Sequence, residues 1–165
     1  MVRSIPTVLD SIQWGTHICQ FYRERDEFID LVTSLIFSGL NKKHYCLWIL
    51  QNRSSVDEMV DILYRKVPGF DDFLRHEQIE IVSQDVIDEH ANKPDLSSLT
   101  NLRQYLEGKL NSCVVRNLEG MRLAITTESV PGKKIEHVME RERFINEVLS
   151  NKKMTVLCSY PSTEI

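Results

Sequence analysis

Five short apolar runs recur along the chain, and the segments between them carry apolar residues at helical spacing. The first, His17–Tyr22 (HICQFY), stands behind a Trp14-Gly15-Thr16 turn and reads as a strand. Over residues 26–40, Phe28, Ile29, Val32, Leu35 and Ile36 mark one helix face, with Asp26 as cap and Gly39 and Asn41 at the end. Tyr45–Leu50 (YCLWIL) lacks polar alternation, as expected of a strand covered on both faces. A helix then opens at Ser54 and Ser55, carries Val56, Met59, Val60, Ile62 and Leu63, and stops at Pro68-Gly69. A short helix holding Phe70, Phe73 and Leu74 follows, and then the strand Ile79–Ser83.

Residues 84–98 are polar and contain Pro94, so they read as a long loop with about one helical turn. The longest helix spans 99–118, with Leu102, Leu106, Leu110, Cys113 and Val114 on one side. A fourth strand, 121–127, runs into Glu128; a loop at Gly132-Lys133-Lys134 precedes a helix over 135–149; and a fifth strand covers 154–159. Strands alternating with helices in this way predict an α/β fold: three layers, a mostly parallel sheet of five or more strands, helices on both faces. Residues 1–11 read as an N-terminal arm, 12–161 as the domain and 162–165 as a tail.

Composition narrows the function classes. With 165 residues, 42% hydrophobic and 27% charged, the chain fits one ordinary globular domain and excludes disorder, collagen-like repeats and disulfide mini-scaffolds. Its 20 basic and 24 acidic residues leave a net charge of −4, so no overall positive field attracts nucleic acid or an anionic membrane. No run approaches the roughly 20 apolar residues of a membrane span. The opening MVRSIPTVLDSIQWG has no apolar signal-peptide region, which makes cytoplasm the expected compartment.

An α/β chain is tested first for phosphate binding. The loop after the first strand, Arg23-Glu24-Arg25-Asp26, has neither the glycines that wrap a phosphate nor the lysine and hydroxyl that hold it with magnesium. Glu24, Asp26 and Glu27 would repel an anion there. Glu128 ends the fourth strand where a nucleotide enzyme holds a carboxylate, but without the lysine loop the likeness is one of position alone.

His17 and Cys19, two residues apart on a strand, share a face. If the last strand neighbours the first, Cys158 joins them, and an imidazole with two thiolates would suit zinc or, as a redox sensor, a metal or haem. The competing and weightier reading makes Cys19, Cys46, Cys113 and Cys158 small buried hydrophobes with free thiols, none being in a CxxC pair. A Cys19–His17 nucleophilic pair is disfavoured, because such positions stand about 6–7 Å apart at the backbone. Trp14, Phe21, Tyr22, Trp48 and Tyr160, with Met121 and Met154, are candidates to line a pocket at the carboxyl edge of the sheet. Arg122, on an apolar strand, needs a partner, for which Glu142 or Glu128 is available. The charge-alternating segment 136–147 reads as a solvated helix face.

Taken together, GTHICQFY, YCLWIL, QIEIVS, GMRLAITTE, ERFIN and LCSYP resemble the sensory domain of methanogens and methylotrophs called MEDS, over about residues 12–161. The most specific marks are His17-Ile18-Cys19 with Phe21-Tyr22, and the closing Leu157-Cys158-Ser159-Tyr160-Pro161. The resemblance implies a RecA-like or circadian-clock-ATPase-like core without its phosphate loop. It also implies a role in sensing small hydrocarbon or one-carbon derivatives, with output through a histidine kinase or transcription regulator, and it singles out His17 and Cys19. Where many members carry Gly-Asp or Asp-Trp after the fourth strand, this chain has Thr127-Glu128-Ser129.

The combined expectation is a non-enzymatic small-molecule sensor that needs no cofactor and can act as a homodimer. Its ligand is neutral or apolar, its mobile loops are 84–98 and 129–134, and its sensing residues are His17, Cys19, Phe21, Tyr22, Trp48, Arg122, Glu128, Cys158 and Tyr160. The rivals are a degenerate nucleotide-fold scaffold that binds partners, and a metal or haem sensor built on His17, Cys19 and Cys158.

Overall fold

A computed structural model describes residues 9–91, 97–129 and 134–162. The order is β1 (His17–Tyr22), α1 (Arg25–Leu40), β2 (Tyr45–Leu50), α2 (Val56–Lys66), α3 (Phe70–Arg75), β3 (Ile79–Ser83), α4 (Gln84–Glu89), α5 (Ser98–Val115), β4 (Met121–Thr126), α6 (Lys134–Leu149) and β5 (Met154–Pro161). Every strand pairing is parallel, in the order β1-β5-β4-β2-β3.

Layering follows from that order. The chain moves outward from β1 to β2 and β3, then returns through β4 to β5. Because parallel crossovers share one hand, the outward helices α1–α3 cover one face and the returning helices α4–α6 the other. One core joins Phe28, Val32, Leu35, Trp48, Met59 and Leu63; the second joins Leu47, Leu102, Leu106, Leu123, Ile145 and Val156. All residues of β2, β4 and β5 are buried, which is why these runs are mainly apolar and show no regular alternation, with Arg122, Thr126, Thr155 and Ser159 as their buried polar members.

The segment after β3 departs from the expected loop, since Gln84–Glu89 is helical and docks Ile87 into the second core. Residues 92–96 of that expected loop, and 130–133 of the one before α6, lie outside the described residues, as do 1–8 and 163–165. Within the expected arm, Leu9 is buried and its carbonyl accepts a hydrogen bond from Arg122. Among the described residues no helix is long and apolar enough to cross a membrane.

Arg122 is 2% exposed and sits on the α1 side. Its Nε donates to His44 Nδ1 (3.1 Å), Nη1 to the Leu35 carbonyl (3.0 Å) and Nη2 to the Leu9 carbonyl (3.1 Å). Neither Glu142 nor Glu128 is its partner, which corrects that expectation: both acids lie elsewhere, and neutral acceptors satisfy the guanidinium. Gly39 makes room for it, because a Cβ there would lie 2.6 Å from Arg122 Cδ and 2.9 Å from Cys46 Sγ.

Candidate sensing site

In an open parallel sheet a crevice forms where the connections leaving two adjacent strands go to opposite faces. Here β4 and β2 are neighbours, β4 leading to α6 on one face and β2 to α2 on the other. A cleft of about 370 Å³ lies at that place. Its walls include Ile49, Leu50 and Gln51 from the end of β2, and Ile125, Thr126, Thr127 and Ser129 from the end of β4. Gln84, Asp85 and Asp88 of α4, Ser98 and Leu99 of α5, and His137, Val138, Glu140 and Arg141 of α6 complete it with Tyr160.

Beside the cleft, along β1 and β5, stands a column of side chains. The register sets Cys19 opposite Cys158 and Phe21 opposite Tyr160, with His17 two pairs before Cys19, opposite Val156. Helix α6 lies over them. Its apolar stripe is Val138, Ile145 and Leu149, and Glu142 occupies the same stripe, four residues beyond Val138 and three before Ile145. Asn146, one turn on, shares its side of the helix.

These residues form one connected set. Tyr160, a wall of the cleft, donates its hydroxyl to Glu142 Oε1 at 2.6 Å. Glu142 Oε2 lies 2.7 Å from His17 Nε2, and His17 Nδ1 is 2.8 Å from Asn146 Oδ1. The Glu142 oxygen is off the axis of the Nε2–H, so this contact is a charge pairing rather than an aligned hydrogen bond. Burial opposes the charged imidazole, but the acceptors on both ring nitrogens outweigh it and raise His17 above its ordinary value. Conversely, burial resists ionisation of Glu142, but the His17 contact and the Tyr160 hydrogen bond prevail and hold its carboxyl below the usual range.

The surroundings of Cys19 and Cys158 work against thiolate formation. Burial, and then the nearby Glu142 charge, push the Cys19 thiol up to about 11 and Cys158 well above the ordinary range, opposite to what a reactive thiolate needs. Cys19 and Phe21 are exposed, and the Phe21 ring stacks on Tyr160 with centroids 5.9 Å apart.

The other expected site residues are not brought to this column. Trp48 is fully enclosed on the α1 side, its indole N–H bonded to Thr126 Oγ1 (2.9 Å). Tyr22 is buried on that side too, its hydroxyl donating to the Thr127 carbonyl. Glu128 pairs with Arg25 at 3.3 Å and accepts from Ser55 Oγ at 3.2 Å. Met121 and Met154 begin β4 and β5 and so lie at the amino edge, where the Trp14 ring packs on His44 with centroids 4.5 Å apart; the carboxyl-edge placement of these three is corrected. At the start of α1 the Glu27 carboxylate accepts from the amides of Arg23 and Glu24, taking groups that an anion would need.

The model of the family described as methanogen/methylotroph, DcmR sensory domain, or MEDS, matches residues 16–165. The chain belongs to the MEDS family. Its class of function is therefore sensory. A search of curated proteins found no match.

In this MEDS chain, sequence reasoning anticipated the β1–β5 column but not its helical partner. Glu142 was hidden by the alternating charges around it, although an acid at apolar-stripe spacing with Val138, Ile145 and Leu149 is a readable sign of a buried carboxylate. The cleft residues Gln51, Gln84, Asp88 and Arg141 carry no motif; only the strand order brings them together.

Proposed function

We propose that this MEDS domain binds a small hydrocarbon or one-carbon derivative in the cleft between the ends of β2 and β4. Occupancy passes through Tyr160 to Glu142 and His17, and from there to a protein contact with a histidine kinase or transcription regulator. The observation that carries this reading is the double role of Tyr160, which lines the cleft and holds the carboxylate paired with His17. The cleft volume falls in the lower part of the range of small-molecule sites, roughly 300–1,000 Å³. Ile49, Leu50, Leu99, Ile125 and Val138 give it apolar wall for a hydrocarbon part. A ligand that binds only when Tyr160 takes one of two positions shifts the domain by its difference in affinity for the two.

The test is a thermal-shift screen of halomethanes, short alcohols and methylated amines or thiols, with ATP as the contrasting probe. A compound at 100 times its dissociation constant stabilises by about 2.7 kcal/mol. In a domain of this size that is a rise of roughly 5–10 °C. Leu99→Trp, which fills the cleft from its α5 wall, is expected to remove the shift while leaving the fold intact. A shift of equal size in Leu99→Trp, or stabilisation by ATP alone, would overturn the reading.

A further inference from the structure

The column of β1, β5 and α6 brings together an imidazole nitrogen, a carboxylate oxygen and a sulfur. The donor atoms of His17, Glu142 and Cys158 all lie within 4.8 Å of one another. A zinc ion bonded to nitrogen, oxygen and sulfur at about 2.0–2.3 Å sets donor–donor edges of about 3.3–3.8 Å. Small side-chain rotations bridge the difference. The mixed donor set suits a borderline-soft divalent ion, and one carboxylate with one thiolate balances its two charges.

Two further observations separate this group from a simple ion pair beside a core cysteine. His17 Nε2 is buried and makes no aligned hydrogen bond, so its bonding direction is unused. The atoms a metal would leave free are already held from outside: Asn146 Oδ1 contacts His17 Nδ1 at 2.8 Å and the Tyr160 hydroxyl binds Glu142 Oε1 at 2.6 Å. Such outer contacts orient metal-bound histidine and carboxylate side chains.

We infer that His17, Glu142 and Cys158 form a divalent-metal site suited to zinc, with the fourth position open to a water or an incoming donor. The site differs from the His17, Cys19, Cys158 set suggested by sequence, because Glu142 takes the place of Cys19, whose sulfur stands outside the group. As the ion binds, the Cys158 thiol proton and the Nε2 proton of His17 leave to solvent, and the sulfur and nitrogen lone pairs form the metal bonds. The site touches the cleft through Tyr160, which lines the cleft and binds Glu142, yet it stands independently of any cleft ligand.

The experiment titrates the chelator-treated full chain with Co²⁺ and follows the visible spectrum, then repeats the titration with Zn²⁺ in competition. One equivalent of Co²⁺ is expected to give tetrahedral d–d bands with a sulfur-to-cobalt charge-transfer band, displaced by one equivalent of Zn²⁺. Cys158→Ser loses the charge-transfer band and Glu142→Gln weakens binding at least tenfold, whereas Cys113→Ser, on α5, behaves as wild type. Asn146→Ala is expected to weaken binding about tenfold with circular dichroism unchanged. Because Cys158 is deeply buried, the surface-proximal Glu142→Gln and Asn146→Ala keep the test valid if Cys158→Ser fails to fold. A wild-type chain that gives no cobalt spectrum would overturn the assignment. So would binding of wild-type strength in Glu142→Gln, or a charge-transfer band that survives in folded Cys158→Ser.

Discussion

His44 provides a quantitative test of how the amino edge of the sheet is built. Its Nδ1 accepts from the buried Arg122, its ring packs on Trp14, and its Nε2 lies 3.7 Å from Glu119. Burial, and next the Arg122 charge, lower it to about 4 from an ordinary value of 6.5. Between those two values the unfolded chain takes up a proton that the folded chain refuses. Stability therefore rises with pH through that window and falls as the solution is acidified. At 1.36 kcal/mol per pH unit, this one group removes roughly 3 kcal/mol by the time pH reaches about 4. For a domain of this size that is about 6–12 °C in Tm. His44→Asn keeps an acceptor for Arg122 and removes the titration. Urea and thermal melts of both proteins from pH 4.5 to 8, followed by tryptophan fluorescence, read the difference, in which carboxylate effects common to both cancel. The variant is expected to be the less stable above pH 7, where it loses ring packing, with the gap closing or reversing toward pH 4.5. A gap that stays constant across the range would refute the reasoning.

Other outcomes follow from single contacts. Gly39→Ala gains up to about 1 kcal/mol in helix propensity, but its Cβ would press on an Arg122 side chain fixed by three hydrogen bonds. Overpacking of this kind costs about 1–3 kcal/mol, so a lower urea midpoint is expected and a higher one would show that α1 can shift. Thr126→Val leaves the buried Trp48 N–H without its acceptor, and denaturation should show a loss of about 1–3 kcal/mol. Arg25→Ala removes pairs with Glu58 and Glu128, but Arg25 and Glu58 are half exposed. Its loss should stay below about 1 kcal/mol and vanish in high salt.

The strands were legible because burial on both faces leaves a mainly apolar mark, unbroken in YCLWIL and interrupted in MRLAIT only by Arg122 and Thr126. Helix α4 was not, since a six-residue helix that buries only Ile87 has no periodicity to display. The neighbourhood of Cys19 and Cys158 hung on the last strand lying beside the first, an arrangement the sequence allowed without requiring and the register provides. The partners of Arg122 could not be read, being backbone carbonyls and a histidine far away in sequence. The positions of Met121 and Met154 could have been, because the first residues of parallel strands always lie at the amino edge. Glu142 stood in between: its stripe position was visible, but the charges beside it made the whole segment look solvated.

The coupling of cleft to column is tested most directly by the imidazole NMR signals of His17 at fixed pH in chelator-treated protein, with and without a saturating stabilising compound. The His17 signals are expected to move with the backbone amides of Gln51 and Thr127 in the wild-type chain, and to stay still in Tyr160→Phe while those amides still move. Cleft amides that respond while His17 of the wild-type chain does not would contradict a signal carried through Tyr160 and Glu142.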